Sequence, residues 1–167
     1  MNMFFHKILF FVLITLSITT NASNLSVDAK NRGINDTCYN YLSQIEKSYE
    51  INGLNITFAH PENPSKLPSL HVSSQQYNNG SSSFSATLVP EDEYCYLSIV
   101  LVTSINNQSC SEIAQIKAAN ENLQATNYAD GSFIILTPSD NNYQIILTSS
   151  SKNSCTMTES RMMWPGK

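Results

Sequence analysis

The sequence is poor in charge. Only 13% of its 167 residues are charged, about half the share of roughly 25% that is usual in globular domains. The 9 Lys and Arg are scattered singly against 13 Asp and Glu, and the formal net charge is −4. A protein that binds phosphate backbones needs clustered basic residues. The composition therefore argues against a nucleic-acid partner.

The sequence also lacks the common motifs of catalytic and cofactor sites. With only 5 Gly it has no Gly-rich phosphate loop, and it has no Gly-x-Ser-x-Gly elbow. No Cys-x-x-Cys pair occurs, and the spacings of 57, 15 and 45 residues between successive cysteines fit no zinc module. We therefore expect no catalytic constellation, no cofactor and no metal.

Residues 1–23 have the three-part pattern of a secretory signal peptide. A short basic region around Lys7 precedes an apolar run over residues 8–14, and small polar residues follow. An uncleaved membrane anchor is the alternative, but the apolar core is shorter than the ~20 residues that a spanning helix needs. We expect cleavage near Ala22 or Ser23, a mature chain without a membrane span, and a periplasmic or secreted location.

Four cysteines follow the signal peptide. An even number in an exported chain indicates two disulfides formed in an oxidising compartment. Four cysteines allow three pairings, and spacing alone does not choose among them. The residues are Cys38, Cys95, Cys110 and Cys155.

The first half predicts one helix followed by four strands. From Thr37, apolar residues recur at helical spacing, and Gly53 is placed to cap the C-terminus of the helix. Alternating apolar residues between turn signals then indicate strands. The fourth strand is apolar on both faces, which predicts a central position in a sheet. These strands cover residues 54–58, 69–77, 82–89 and 94–103.

The second half repeats this order of elements. Ser109 and Glu112 have the spacing of a capping box, which predicts a helix over residues 110–120. Its expected core stripe is Cys110, Ile113 and Ile116, continued by Leu123. Four further strands are predicted over residues 123–128, 132–137, 143–149 and 155–164.

The two halves also place their cysteines alike. In each half a hydroxyl residue and a cysteine open the helix, and a second cysteine lies in the fourth strand. We interpret this as an α+β protein of tandem helix-plus-four-strand units, residues 24–104 and 105–167, with an antiparallel sheet. One irregular α+β domain is the alternative.

Tandem units favour disulfides within each half, Cys38 with Cys95 and Cys110 with Cys155. The pairing of Cys95 with Cys110 and Cys38 with Cys155 stays open. At the level of architecture alone, such stapled units resemble the bacterial secreted β-lactamase-inhibitor proteins, in which two repeats form a concave sheet that clasps an enzyme. No signature residues are matched, so the resemblance implies a binding role and assigns no site.

The densest charge cluster is the acidic turn, which comprises Glu91, Asp92, Glu93 and Tyr94. Anionic groups steer a basic partner and a tyrosine supplies rigid contact area, so we treat these residues as candidates for partner binding. A solvated turn without a partner is the alternative.

Two histidines, His60 and His71, lie at the ends of a Pro-rich loop. Together with Glu62 they could form a metal or acid–base site if the loop brought them together. The alternative is that His60 ends a strand and His71 is a surface residue of the next strand.

These observations favour an exported binding protein without catalysis. The expected role is a periplasmic or secreted inhibitor, or an immunity-type protein that neutralises an enzyme or a toxin. A secreted hydrolase that uses His60 or His71, and a component of cell-envelope assembly, are the alternatives.

Overall fold

The computed structural model describes residues 24–163, so the predicted signal peptide lies outside the described residues. This part of the chain is an α+β protein that is mostly strand, as predicted. No helix among these residues is long and apolar enough to cross a membrane. The elements are α1 (Leu25–Asn31), α2 (Asp36–Ser48), β1 (Leu54–Phe58), β2 (Ser69–Tyr77), β3 (Gly80–Glu91), β4 (Tyr94–Asn106), α3 (Cys110–Glu121), β5 (Gln124–Tyr128), β6 (Phe133–Thr137), β7 (Tyr143–Ser151) and β8 (Ser154–Met163).

The eight strands form one antiparallel sheet in the order β1-β2-β3-β4-β8-β7-β6-β5. The fourth and eighth strands meet at its centre, where pairing runs from Leu97 opposite Met163 to Asn106 opposite Ser154. The prediction that β4 is a central strand is confirmed. The edges of the sheet are β1 and β5.

Two hydrophobic clusters lie on one face of the sheet, beneath the helices. In the first, Leu25 of α1 and Leu42 of α2 pack over Phe84 and Leu97 of the sheet. In the second, α3 packs over β6, β7 and β8. Its fully buried members, at 0% to 1% exposure, are Leu136, Ile145, Leu147 and Cys155.

Each cluster contains one disulfide. Cys38 at the start of α2 is bonded to Cys95 at the start of β4, and Cys110 at the start of α3 is bonded to Cys155 in β8. This is the pairing within each half that the order of elements favoured, and no free cysteine occurs in residues 24–163. Loop-closure entropy gives each bond a stabilising effect of about 4 kcal/mol.

The two long helices begin differently. Ser109 and Glu112 form the predicted capping box of α3, with both reciprocal hydrogen bonds present. At α2 the cap is Asn35, whose side-chain oxygen accepts the backbone N–H of Cys38 at 2.8 Å. Thr37 lies inside the helix, so it is not the counterpart of Ser109 that the sequence pattern suggested.

The predicted C-terminal cap of α2 is wrong. The helix ends at Ser48, and the chain turns through Glu50, whose φ is 50°. Gly53 has a different role, because a Cβ there would lie 2.0 Å from the carbonyl oxygen of Ser74. It allows the close approach of the chain to β2.

The predicted stripe of α3 is partly wrong. Cys110 and Ile113 are buried as expected, but the third buried residue is Ala114, whereas Ile116 is 52% exposed. Leu123 is buried just after the helix has ended.

Helix α1 was not predicted from the sequence. On one side of this short helix, the side chains of Leu25 and Ala29 are fully buried. The buried carboxylate of Glu46 accepts the backbone N–H groups of Leu25 and Ser26, and it satisfies two donors that would otherwise have no partner at the helix start. This contact fixes α1 against α2.

Candidate binding face

The face of the sheet opposite the helices is uncovered. Strand residues alternate between the two faces, and the buried strand residues belong to the face that carries the helices. None of the residues on the other face is buried, and apart from Glu91 none of those described is charged. We call this surface the open face.

The centre of the open face is formed by small hydroxyl and aliphatic side chains. Three strands, β3, β4 and β8, supply them in register. A depression of about 370 Å³ lies at one end of these strands, next to the start of β7, and Met162 and Gln144 are among its lining residues. The central residues are Ser83, Ser85, Thr87, Ser98, Val100, Val102, Ser104, Thr156, Thr158 and Ser160.

Both ends of the open face are more apolar than its centre. At one end, β1 and β2 carry four exposed apolar side chains, Leu54, Ile56, Phe58 and Leu70, which are 68%, 46%, 57% and 38% exposed. At the other end, Tyr128, Phe133 and Ile146 are 52%, 43% and 38% exposed. Large apolar side chains exposed together on one surface are a mark of interaction sites.

The acidic turn connects β3 to β4, where Glu91 pairs with Tyr94. All four of its residues are exposed, and Asp92 takes a φ of 47°. Tyr94, Tyr96 and Ser98 follow each other at every second position of β4, so Tyr94 lies on the side of the strand that faces the open face. The turn therefore borders this face.

The two histidines are not brought together as a site. His71 is fully buried, and its ring nitrogens lie 3.2 Å from Thr57 Oγ1 and 2.9 Å from Ser69 Oγ. His60 is exposed, and its Nδ1 accepts the backbone N–H groups of residues 62 and 63. The expectation that His71 is a surface residue is wrong, and residues 24–163 contain no group of three or more potential ligands that could hold a metal.

Burial lowers the pKa of His71 to about 4, and the nearby Asp28 opposes this effect only partly. Desolvation disfavours the charged imidazolium, so His71 is neutral at physiological pH. A buried, neutral ring that is already hydrogen-bonded on both sides is a structural group and has no access to a substrate.

A polar network on the helix face joins the two halves. The hydroxyl of Tyr49, at the end of α2, donates to Glu159 Oε1 of β8 at 2.8 Å. Arg161 donates to the same oxygen at 3.3 Å and covers the ring of Tyr143 at 4.6 Å. Burial and the Glu159 carboxylate raise the pKa of Tyr49 to about 12. Nothing in the sequence pattern linked these residues, because Tyr49 and Glu159 are 110 positions apart.

Neither protein-family models, nor curated proteins, nor solved structures provided a match to this chain.

Proposed function

We propose that this protein is an exported binding protein that acts without catalysis and holds a protein partner on its open face. The observation that carries the proposal is the uncovered, almost charge-free face of the eight-stranded sheet, with large apolar side chains at both ends. The partner class that we favour is an enzyme or a toxin, which the bound protein would neutralise.

The chemistry of the open face supports a protein partner. It lacks the cations that phosphate groups require, and its mixture of hydroxyl, aliphatic and aromatic side chains resembles the centre of protein interfaces. The acidic turn beside it can steer a basic partner, since charge at an interface rim mainly raises the association rate. Glu91, Asp92, Glu93 and Tyr94 therefore remain the proposed rim of the site.

The absence of catalysis is supported by the residues of the open face. Among the described strand residues, its serines and threonines share it with no His, Cys or Asp, and the one carboxylate on it, Glu91, lies at the end of β3. A hydroxyl nucleophile needs an adjacent base. His71 is buried under the opposite face of the sheet, so it cannot serve as this base.

Export and tandem organisation are further parts of the proposal. Two disulfides are typical of chains that fold in an oxidising compartment, which agrees with a signal peptide over residues 1–23. Each half contains one long helix followed by four strands, and each has its own disulfide and its own buried cluster. The strand order is also symmetric about the β4–β8 pair. Helix α1 has no counterpart in the second half.

A photocrosslinking experiment tests the binding face. A photoreactive amino acid is placed at Val100 in the open face, and matched controls carry it at Gln44 on α2 and at Ile116 on α3, both exposed. Irradiation in the producing cells should join a protein to the Val100 position and not to the two helix positions. Equal crosslinking from all three positions would contradict the proposal.

The crosslinked protein then provides the functional assay. If it is an enzyme or a toxin, the purified exported protein should reduce its activity, and Val100→Arg should abolish the inhibition whereas Ile116→Arg should not. Undiminished activity in the presence of saturating unmodified protein would contradict the inhibitory role.

A further inference from the structure

The helix face of the second half contains a groove that no helix covers. It lies between α3 and β5 and has a volume of about 220 Å³. Ala125 and Asn127 of β5 point to the helix face, because they pair with buried residues of β6, and both are exposed. The wall that α3 contributes includes Ala114 and Ala118, and none of the residues that line the groove is charged.

The corresponding place in the first half is occupied by α1. This helix packs against α2, β1 and β2, and Leu25 and Ala29 are its fully buried apolar side chains. On α2, the carboxylate of Glu46 accepts N–H groups at the start of α1. Leu42, one turn earlier on α2, belongs to the same buried cluster as Leu25 and Ala29.

The groove is lined by the counterparts of these two α2 residues. Each disulfide joins the start of its helix to the second residue of the fourth strand in its half, so the two helix cysteines are equivalent positions. Leu42 and Glu46 lie four and eight residues after the first of these cysteines, and Ala114 and Ala118 lie four and eight residues after the second. The groove is therefore the counterpart of the place that α1 occupies, with smaller side chains in its wall.

We propose that this groove binds a short amphipathic helix of a partner protein, in the place that α1 takes in the first half. The proposal goes beyond the partner on the open face and rests on the correspondence between the two halves. A second copy of this chain does not offer such a helix, because the apolar sides of its three described helices are already buried. Binding of a helix in a groove uses apolar anchors one turn apart, which Leu25 and Ala29 provide in α1.

Charge defines the direction of the bound helix. Helix α1 is antiparallel to α2, because it starts beside Glu46 and ends with Lys30 over the ring of Tyr39, at 4.9 Å, near the start of α2. In the second half, Glu112 lies in the first turn of α3, and β5 runs back toward this end and is followed by Asp130. Both acids are exposed. A helix in the orientation of α1 has its C-terminal turn at this end, where basic side chains suit both the two acids and the helix dipole.

The wall of the groove determines two further features of the helix. Ala118 stands where the first half has the carboxylate of Glu46, so the bound helix must supply its own N-cap residue. Ala114 stands where the first half has Leu42, so the side chain that corresponds to Ala29 must be larger to fill the space. The expected ligand is a helix with an N-cap residue, two large apolar anchors one turn apart and a basic C-terminal end.

Fluorescence anisotropy with a synthetic helix tests the proposal. The probe is a peptide of residues 24–32 with Asn24→Ser at the N-cap, and a hydrocarbon staple between positions 27 and 31, both exposed in α1, keeps it helical. The purified protein should bind this peptide, and Ala29→Leu in the peptide should raise the affinity about tenfold. Ala118→Arg in the protein should abolish binding, whereas the matched control Ala119→Arg, exposed on α3 outside the groove, should not.

NMR of the isotope-labelled protein locates the site. The peptide should shift the amide signals of Ala114, Ala118 and Ala125 and leave those of the open face unchanged. Glu112→Gln keeps the capping box and should weaken binding about two- to fivefold; an unchanged affinity would refute the orientation. Circular dichroism confirms that each variant is folded.

The groove and the open face are tested separately, because Val100→Arg should leave peptide binding unchanged. Three results would overturn the proposal: no binding of either peptide, equal affinities of the Ala118→Arg and Ala119→Arg proteins, or signal shifts confined to the open face.

Discussion

Acidification is expected to destabilise this protein through one side chain, His71. Its ring is fully buried beneath α1, between Thr57 and Ser69, and burial lowers its pKa to about 4. In the unfolded chain the same group has a pKa of about 6.5. The unfolded state therefore binds a proton at a pH where the folded state does not.

The sign and size of the effect follow from this difference. Because the pKa is depressed in the folded state, the stabilisation is complete above about pH 6.5 and is lost as the pH falls toward 4. The whole loss is about 3 kcal/mol, of which about 2 kcal/mol has already occurred at about pH 5. Few carboxylates are protonated above about pH 5, so the upper part of this window reports mainly on histidine.

Urea unfolding with the disulfides intact measures the effect. The free energy of unfolding of the unmodified protein should fall by about 2 kcal/mol between about pH 7.5 and pH 5. His71→Gln does not titrate and should lose far less over the same range, and His60→Gln, at an exposed position, is the matched control. Equal losses in the unmodified and His71→Gln proteins would refute the reasoning.

Three other changes have defined outcomes. Glu159→Gln replaces the charged acceptor of the Tyr49 hydroxyl by a neutral one and should lower the free energy of unfolding in urea by about 2 kcal/mol. An NMR titration should show the pKa of Tyr49 falling from about 12 part of the way to its usual 10. An unchanged pKa would contradict the contact. Gly53→Ala places a methyl group against the Ser74 carbonyl and should cost about 1–3 kcal/mol, measured by thermal unfolding, so an unchanged midpoint would show that the strands can separate freely. Neutralising the three acids of the acidic turn should slow association with a basic partner and weaken its salt dependence with little change in dissociation; surface plasmon resonance measures both rates, and a change confined to dissociation would argue against steering.

The alternation of apolar and polar residues located the strands, but it did not show which face of each strand the helices cover. The strands were predicted close to their observed limits. Because β4 is apolar on both faces, its central position in the sheet was predicted as well. In β1 and β2 the large apolar side chains lie on the uncovered face of the sheet, and the buried face carries small and polar side chains. The buried side chains include Thr57, His71 and Ser73, whereas the apolar side chains of Ile56 and Leu70 point outward. A period of two defines which residues share a face, whereas burial depends on where α1 packs.

The features missed from the sequence depend on distant contacts. Helix α1 is only seven residues long, too short for a periodic signal, and it is held by Glu46 from the next helix. The hydrogen bond between Tyr49 and Glu159 forms only once β8 lies beside β4. The open face was likewise not identified, because the sequence does not show that all three helices pack on one side.

The meeting of β4 and β8 at the middle of the sheet has a consequence for biogenesis. During synthesis the long apolar strand β4 is complete well before the last residues of β8 have left the ribosome, so its outer edge has no native neighbour in the interim. An incomplete chain would present Ile99 and Val100 to other nascent chains, and unpaired edges of this kind aggregate. The ten residues of β8 complete the pairing of β4, and chains truncated before β8 should aggregate or be degraded.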